Sequence, residues 1–416
     1  MTVSPPTTAQ PVSTGYFLIG REITTATVAP VWTSVKAKPL KPNNKPQWLR
    51  DAAMWGDMNE LHDLQQGPAW AELEIPESPL YGDTFGHLAF GFFGDYVATG
   101  TAASPASTLN GGVSAGATSI TVTSGTGITA NMWLQVDVSS IAEIVQVSSV
   151  ATNVVTLKSS TPLRFAHLTG VAVTNTTGPY VHTFATLNPN SGTGLTNCQP
   201  PSHSIAHYNY LPGAGGYYSD LFLYSVVTDL SIMGDASGWL AYSAKLTSYI
   251  QAAPGSQPVA ALSTIKGIPA YKGTNTVASG SVNNIAKWGI DFTRKVDVIP
   301  TADGQQNPYF LGLGAMTAKF KLTVDPATDE SELNYMLQNT APTFAWSTSN
   351  GLGGTSVVTV AINAQVAGYM ESPISAVREF WGYEVGGELV ASSTNAGNSG
   401  GNTLCNLVLT NNVASY

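Results

Sequence analysis

The stretch that decides the fold is PAWAELEIPESPLYGDTFGHLAFGFFG, residues 68–94, because it holds one strand and one helix in succession. In its first part, Ala71, Leu73 and Ile75 alternate with residues suited to an exposed face. Strict alternation of this kind predicts a half-buried β-strand. Pro76 and Pro79 are predicted to end that strand.

In the second part of the stretch, apolar residues recur at helical spacing and predict a short amphipathic α-helix. Asp83 is predicted to cap its start, and Gly94 its end. The apolar positions are Phe85, Leu88, Ala89, Phe92 and Phe93. An aromatic stripe of this kind is more typical of a core than of a ligand site.

The same order of elements returns in MTAKFKLTVDPATDESELNYMLQNTAP, residues 316–342. Phe320, Leu322 and Val324 alternate as a strand that Pro326 is predicted to stop. A possible capping box and a short amphipathic helix follow. The box is Asp329 with Glu332, and the helix face is Leu333, Met336 and Leu337. A long polar loop is predicted before each copy, so the chain is interpreted as an internal duplication.

A third unit interrupts the first copy. Residues 103–176 are predicted to form five short strands separated by Gly, Asn and Ser turns, and they have an apolar set of their own. Its members are Ile120, Val122, Trp133, Leu134, Val136, Val145, Val147, Val155 and Leu157. The predicted domains are residues 1–102 with 177–255 (1–15 being a flexible arm), 103–176 as an inserted β module, and 256–416. The boundary near 255 is taken from the linker-like AAPGSQP.

Composition narrows the classes of function. The chain has 416 residues, a net charge of −9 and only 10% charged residues. The negative charge argues against binding nucleic acid by neutralising phosphates. The low charged fraction favours a surface that is largely buried in an assembly. No signal peptide, membrane-spanning run or disulfide framework is predicted, so the expected site of synthesis is the cytoplasm.

The charges are segregated near the N-terminus. Basic residues dominate 21–50, with one acid among them, and nine acids without any Lys or Arg occupy 51–95. Two ordinary polar surfaces would explain this pattern, and so would complementary docking between copies of the chain. The residues predicted to dock are Lys36, Lys38, Lys41, Lys45, Arg50, Asp57, Glu60 and Asp63.

The search for catalytic residues yields little. AGNSGGNT around Ser399 resembles a serine-protease nucleophile, but no histidine stands in a protease context. His203 and His207 lie four apart, yet the sequence around them predicts a strand and a structural role rather than zinc binding. Glu72 and Glu74 would need a sugar cleft to act as a glycosidase pair. No catalytic, cofactor-binding or metal-binding residue is therefore predicted, and the chain is not expected to be an enzyme.

Several runs resemble one family. They are GREITTATVAPVWTSV (20–35), residues 46–95 beginning PQWLRDAAMWGDMNEL, GIPAYKGTNTV (267–277), residues 288–325 beginning WGIDFTRKVDVIP, and DESELNYMLQNTAP (329–342). These runs resemble the major tail tube protein of long-tailed, non-contractile (siphovirus-type) bacteriophages. The resemblance covers the chain outside 103–176 and includes no catalytic motif.

The resemblance implies a mainly β fold, with two tandem tail-tube-like β-sandwich domains, each with a short flanking α-helix. Strands of neighbouring domains would join in an intersubunit β-barrel, and rings would stack into the tube through which DNA is ejected. A duplicated chain implies a trimeric pseudo-sixfold ring, with a hexamer as the alternative.

The implied partners are further copies of the chain, the tape measure protein and passing DNA, within the virion tail and without a membrane. The inserted module is expected on the outer surface, with a possible carbohydrate or host-surface contact. The alternatives are a decoration or other accessory protein of the virion, and a β-rich hydrolase.

Overall fold

The computed structural model describes residues 15–51, 61–139, 141–189, 198–211, 216–252, 262–325, 330–377, 379–397 and 399–416. Over these residues the fold is mainly β, with antiparallel sheets and two α-helices, which confirms the predicted class. The predicted arm before Gly15, the linker at 253–261, Pro326 and Asp329 lie outside the described residues.

The strands of the first half begin with β1 (Tyr16–Arg21), β2 (Thr33–Val35), β3 (Lys41–Asp51) and β4 (Asp63–Pro79). Helix α1 (Gly82–Phe93) comes next. It is followed by β5 (Gly94–Thr108), β6 (Ser119–Thr121), β7 (Trp133–Val136), β8 (Glu143–Ala151), β9 (Val154–Leu157), β10 (Ala172–Thr186), β11 (His203–Leu211), β12 (Gly216–Asp235) and β13 (Leu240–Tyr249).

The second half repeats part of this order. It opens with β14 (Thr274–Val277), β15 (Gly280–Val282), β16 (Ile285–Ile299) and β17 (Phe310–Val324), which lead into helix α2 (Ser331–Leu337). It closes with β18 (Phe344–Ser349), β19 (Thr359–Ala364), β20 (Ala367–Glu371), β21 (Ile374–Val377), β22 (Phe380–Leu389) and β23 (Asn406–Asn411).

Two sheets run through both halves. The larger has the order β3-β4-β13-β12-β16-β17-β22, with β20 and β21 both on β22, and β2-β1-β11 branch from the start of β12. The smaller has the order β15-β14-β18-β19-β23-β10-β5 and continues from β10 into β7, β8, β9 and β6. The β12–β16 pair joins the two halves in one sheet, and the β10–β23 pair joins them in the other.

Helix α1 lies between the two sheets, where it contacts β12 on one side and β5, β10 and β23 on the other. Every residue of the helix except Asp83 is buried, as expected for a helix packed on several sides. Phe92 contacts Phe292 of the second half, with ring centroids 5.9 Å apart. The main core therefore contains residues of both halves, and the predicted division near 255 stays a prediction.

The strand predicted at residues 68–79 is confirmed, with Ala71, Leu73 and Ile75 buried, but Pro76 does not end it. The register between β4 and β13 shifts between Ile75 and Ser78, and this bulge accommodates a residue that has no N–H to donate. The helix is also confirmed, ending at Gly94, but the prediction that Asp83 caps it is wrong. Tyr81 occupies the N-cap position without a side-chain hydrogen bond, and Asp83 lies in the first turn.

The strand with Phe320, Leu322 and Val324 is confirmed, and α2 follows it. Leu333 and Met336 pack against the core as predicted, whereas Leu337 is exposed. The polar loop predicted before the first copy is wrong, because that region is strand β3, which forms a long hairpin with β4. Before the second copy, strand β16 is followed by a loop at residues 300–309, as predicted.

Residues 109–173 contain a second apolar cluster. It includes every predicted member except Trp133, which packs against the main core. The five predicted short strands are present as β6 to β9 and the start of β10. The strands β5 and β10 run without interruption through the predicted boundaries, where Ala102 faces Thr176 across the ladder.

Candidate functional site

The hairpin of β3 and β4 carries four of the eight residues predicted to dock. Lys41 lies opposite Glu74 in the ladder, and its Nζ is 3.1 Å from Glu74 Oε1. The Nζ of Lys45 is 3.2 Å from Glu72 Oε2. At these two positions the basic and acidic segments therefore pair within one chain. Exposed ion pairs contribute roughly 0.2–1 kcal/mol each. These two pairs are therefore consistent with the register of β3 on β4 but add little to the stability of the fold.

Lys36 and Lys38 lie on the connection from β2 to β3. The Nζ of Lys36 is 4.5 Å from the centroid of the Tyr81 ring, a cation–π contact. The backbone N–H of Lys38 donates to Ser78 Oγ at 2.8 Å, while its side chain is exposed.

Arg50 and Asp63 lie at the far end of the hairpin, on facing strands. Asp57 and Glu60 lie outside the described residues. The predicted docking residues that the structure describes lie along the hairpin and the connection before it, and they do not form a single cluster. Their role between copies stays a prediction.

The far half of this hairpin exposes large apolar side chains that the charge pattern did not reveal. Trp48, Leu49 and Leu64 are each about half exposed. Within the described residues, β3 pairs only with β4, so it forms one end of the large sheet. The sequence signal is the apolar pair WL inside a strand of otherwise polar residues and prolines. Clustered apolar residues on a free edge mark an interaction surface.

The corresponding hairpin of the second half, β16–β17, is packed at its tip. The backbone N–H of Ala69 donates to Gln306 O at 2.9 Å, and that of Ile250 donates to Asn307 Oδ1 at 3.2 Å. Its apolar side chains Leu311 and Leu313 pack with Tyr224 and Val226. One hairpin of the pair thus rests on the first half, whereas the far part of the β3–β4 hairpin is exposed.

The opposite end of the large sheet also exposes apolar side chains. Strands β20 and β21 pair only with β22 among the described residues. Phe380 and Trp381 are 62% and 71% exposed, and Met370 on β20 and Ile374 on β21 are exposed as well. The two ends of the sheet are therefore apolar edges of the kind that pair with another chain.

The segment 103–176 is held against the main core by Arg164. Its guanidinium donates to Tyr96 O at 2.9 Å and to Gly94 O at 3.3 Å, and its Cζ lies 4.5 Å from the centroid of the Phe90 ring. Burial lowers the pKa of Arg164. Ile144 adds an apolar contact, because it belongs to the main core cluster.

The buried carboxylate of Glu143 holds the backbone of Arg164 and of the residue after it. Glu143 Oε2 accepts from the backbone N–H of Arg164 at 2.8 Å, and Oε1 accepts from that of Phe165 at 3.1 Å. His167 Nε2 is 2.8 Å from Glu143 Oε1, and its Nδ1 is 3.4 Å from Asp137 Oδ2. Burial alone would lower the pKa of His167, but the bonds to both carboxylates raise it above its ordinary value.

We expect Arg164→Ala to lower the free energy of unfolding by about 2–4 kcal/mol, because two buried carbonyl groups and a ring face lose their partner. Urea denaturation of the full chain measures the change. Arg164→Lys is the matched control, since it keeps the charge but has no planar fork to bridge two carbonyls, and it should fall between wild type and alanine. A loss below 0.5 kcal/mol for alanine (roughly that of a surface substitution) would show that Arg164 does not hold the segment.

The serine and the two histidines considered above for catalysis or zinc binding lie within hydrogen-bonded parts of the fold. Ser399 Oγ donates to Asp95 Oδ2 at 2.7 Å and accepts from the backbone N–H of Asn188, and the contacts described for it include no histidine. His203 and His207 lie on strand β11, which confirms the predicted strand. No group of three or more His, Cys, Asp or Glu in the described part of the chain is placed to hold a metal ion. Both cysteines are free.

Neither α-helix in the described ranges is long and apolar enough to cross a membrane. No protein-family model matches the chain, and no curated protein matches it.

Proposed function

We propose that the chain is a structural protein that polymerises into stacked rings, forming the tail tube of a long-tailed, non-contractile bacteriophage. The tube is the conduit for DNA ejection, and the tape measure protein occupies it before DNA does. Residues 1–102 with 177–255 and residues 256–416 are two tail-tube-like β-sandwich domains, and residues 103–176 are a small inserted β domain on the outer surface. The virion tail is the proposed location.

The observation that carries this proposal is the open large sheet with two apolar ends. One end is β3, with Trp48 and Leu49, and the other is β20 and β21 beside Phe380 and Trp381. Different surfaces that meet head to tail generate a closed ring or a filament. Pairing of these ends between copies would extend the sheet from chain to chain into an intersubunit barrel and leave no free edge.

The repeated order of elements supports a ring of three chains. A long hairpin, a helix and a second hairpin occur as β3–β4, α1 and β5–β10, and again as β16–β17, α2 and β18–β19. Within the chain, the β16–β17 tip rests on the first half. By the same geometry, the β3–β4 hairpin rests on the second half of the next copy. Three chains of two repeats give a pseudo-sixfold ring.

Electron microscopy of the purified full chain at rising concentration tests the proposal. The expected result is rings and tubes, with a ring mass of three chains by native mass spectrometry. A chain that stays monomeric at every concentration would overturn the proposed function. Six chains per ring would overturn the duplicated ring while leaving the tube in place.

A further inference from the structure

The solvent-facing side of the large sheet carries charges in a regular cross-strand arrangement. Its other side is apolar and packs into the core, as Leu73, Leu246, Phe292 and Phe320 illustrate. Six lysines and seven carboxylates of its polar side, all among the described residues, lie on strands β3, β4, β12, β13, β16, β17 and β22. The lysines are Lys41, Lys45, Lys245, Lys287, Lys319 and Lys321, and the acids are Glu72, Glu74, Asp229, Asp235, Asp291, Glu384 and Glu388. We call this set the charge ladder.

The strand register places acids beside the lysines. Lys245 lies opposite Glu74 on one neighbouring strand and opposite Asp229 on the other. Lys319 lies between Asp291 and Glu388 in the same way, with its Nζ 3.8 Å from Glu388 Oε1. Side chains directly opposite each other in a ladder lie close enough to interact.

The other lysines of the ladder also have acidic neighbours. Lys287 Nζ lies 2.9 Å from Asp235 Oδ2. Lys321 lies opposite two glycines, Gly289 and Gly386, and its diagonal neighbours on β22 are Glu384 and Glu388. With the two ion pairs of the hairpin already described, each lysine of the ladder has a carboxylate opposite or diagonal to it.

We infer that the charge ladder is the surface that faces duplex DNA in the tube, and that its register prevents its lysines from capturing phosphate. This inference rests on the proposed function. A lysine that neutralises a phosphate gains affinity by releasing the counterions condensed on the DNA, and a lysine already paired with a carboxylate gains little, because the phosphate must first displace that carboxylate. A purely acidic face would repel DNA strongly and would place like charges opposite each other across strands. Interleaved charges keep the local field small for a polyanion that must slide.

Removal of the acids should convert this face into a DNA-binding surface. Asp291→Asn with Glu388→Gln takes away the two acids opposite Lys319, which are also two of the acids diagonal to Lys321. Fluorescence anisotropy of a labelled duplex with the full-length chain measures binding across a salt series. Wild type should show no binding at 50 mM salt. The variant should bind about tenfold more tightly or better, with a slope of log K against log salt of about −2 for two phosphates.

A second variant and a control keep the test decisive. Glu74→Gln with Asp229→Asn exposes Lys41 and Lys245 elsewhere on the ladder and should also bind, so either pair suffices if the other fails to fold. Asp303→Asn with Glu330→Gln makes the same change of net charge in the 300–309 loop and just before α2, and should behave as wild type.

Three results would overturn the inference: binding by wild type, equal binding by the control, or no binding by a folded variant. The assay uses the free chain and needs no tube. Its failure would therefore leave the electron-microscopic test of the proposed function untouched.

Discussion

Replacement of Phe380 and Trp381 by alanine will leave the chain folded but prevent its polymerisation. Both rings are largely exposed in the single chain, so their removal takes little from its core. At an interface, each buried aromatic anchor is worth about 2 kcal/mol or more. Loss of two, about 4 kcal/mol, should raise the concentration needed for assembly by about a thousandfold. Sedimentation velocity gives that concentration, and circular dichroism verifies the fold.

A control variant that removes two similarly exposed apolar side chains elsewhere shows whether the effect is specific to this edge. Leu168 and Val138 are among the most exposed apolar side chains, and both belong to the 103–176 segment. Since that segment is proposed to lie outside the tube, Val138→Ala with Leu168→Ala should assemble as wild type does. Failure of this control to assemble would show that the segment belongs to the wall.

Mixing two defective variants tests which surfaces meet. Trp48→Ala with Leu49→Ala removes the apolar part of the β3 edge, and Phe380→Ala with Trp381→Ala removes the other. Each variant retains one intact end, so neither should assemble alone. Together they should form a dimer with one chain of each and stop there, because no complementary ends remain. Absence of the mixed dimer would refute pairing between these two edges.

The sequence predicted the local elements well because their signals are short-range. The alternation around Leu73 and around Phe320 depends on neighbours two residues away, and the helical spacing from Phe85 to Phe93 on neighbours three or four away. Strand β3 was mistaken for a loop because Pro42 and Pro46 are unfavourable in a sheet interior. They are tolerated because β3 is an end strand, which in the described part of the chain pairs with β4 and with no other strand.

The candidate surfaces depend on pairing between strands that are distant in the sequence, and no local sequence pattern specifies that pairing. The basic and acidic blocks were recognised, but only the register of β3 on β4 shows that Lys41 and Lys45 meet Glu74 and Glu72. The charge ladder brings together residues from β3 to β22, and no local pattern relates Asp229 to Lys245 or Lys319 to Glu388. The contact of Arg164 with Gly94 and Tyr96 is equally remote in sequence.

Acid should destabilise the folded chain steeply below about pH 6.5, because three histidines are buried: His87 on α1, His182 on β10 and His203 on β11. Burial, with a contribution from Arg21, lowers the pKa of His87 to about 3. Burial lowers the pKa of His182 to about 4 and that of His203 well below its ordinary value. Between pH 6.5 and 4 the unfolded chain therefore binds protons that the folded chain does not, and stability falls as pH falls.

The expected slope is about 1.4 kcal/mol per pH unit for each histidine, or up to about 4 kcal/mol for the three together. His167 acts in the opposite direction: with its raised pKa, its contribution is fully present below the unfolded value and is lost as pH rises through the folded one. Stability should therefore be greatest near neutral pH. Urea midpoints measured from pH 8 to pH 4 give the curve.

His87→Gln isolates one of the three histidines. His87 Nε2 lies 3.0 Å from Thr33 Oγ1, and the glutamine amide retains a polar group toward that hydroxyl without titrating. The acid slope should fall by about 1.4 kcal/mol per pH unit. Thr33→Val is the matched control: it removes the same hydrogen bond but no titration, so it should lower stability by a similar amount at every pH. If His87→Gln retained the wild-type slope, the ring at position 87 would not be one of the groups that unfolding protonates.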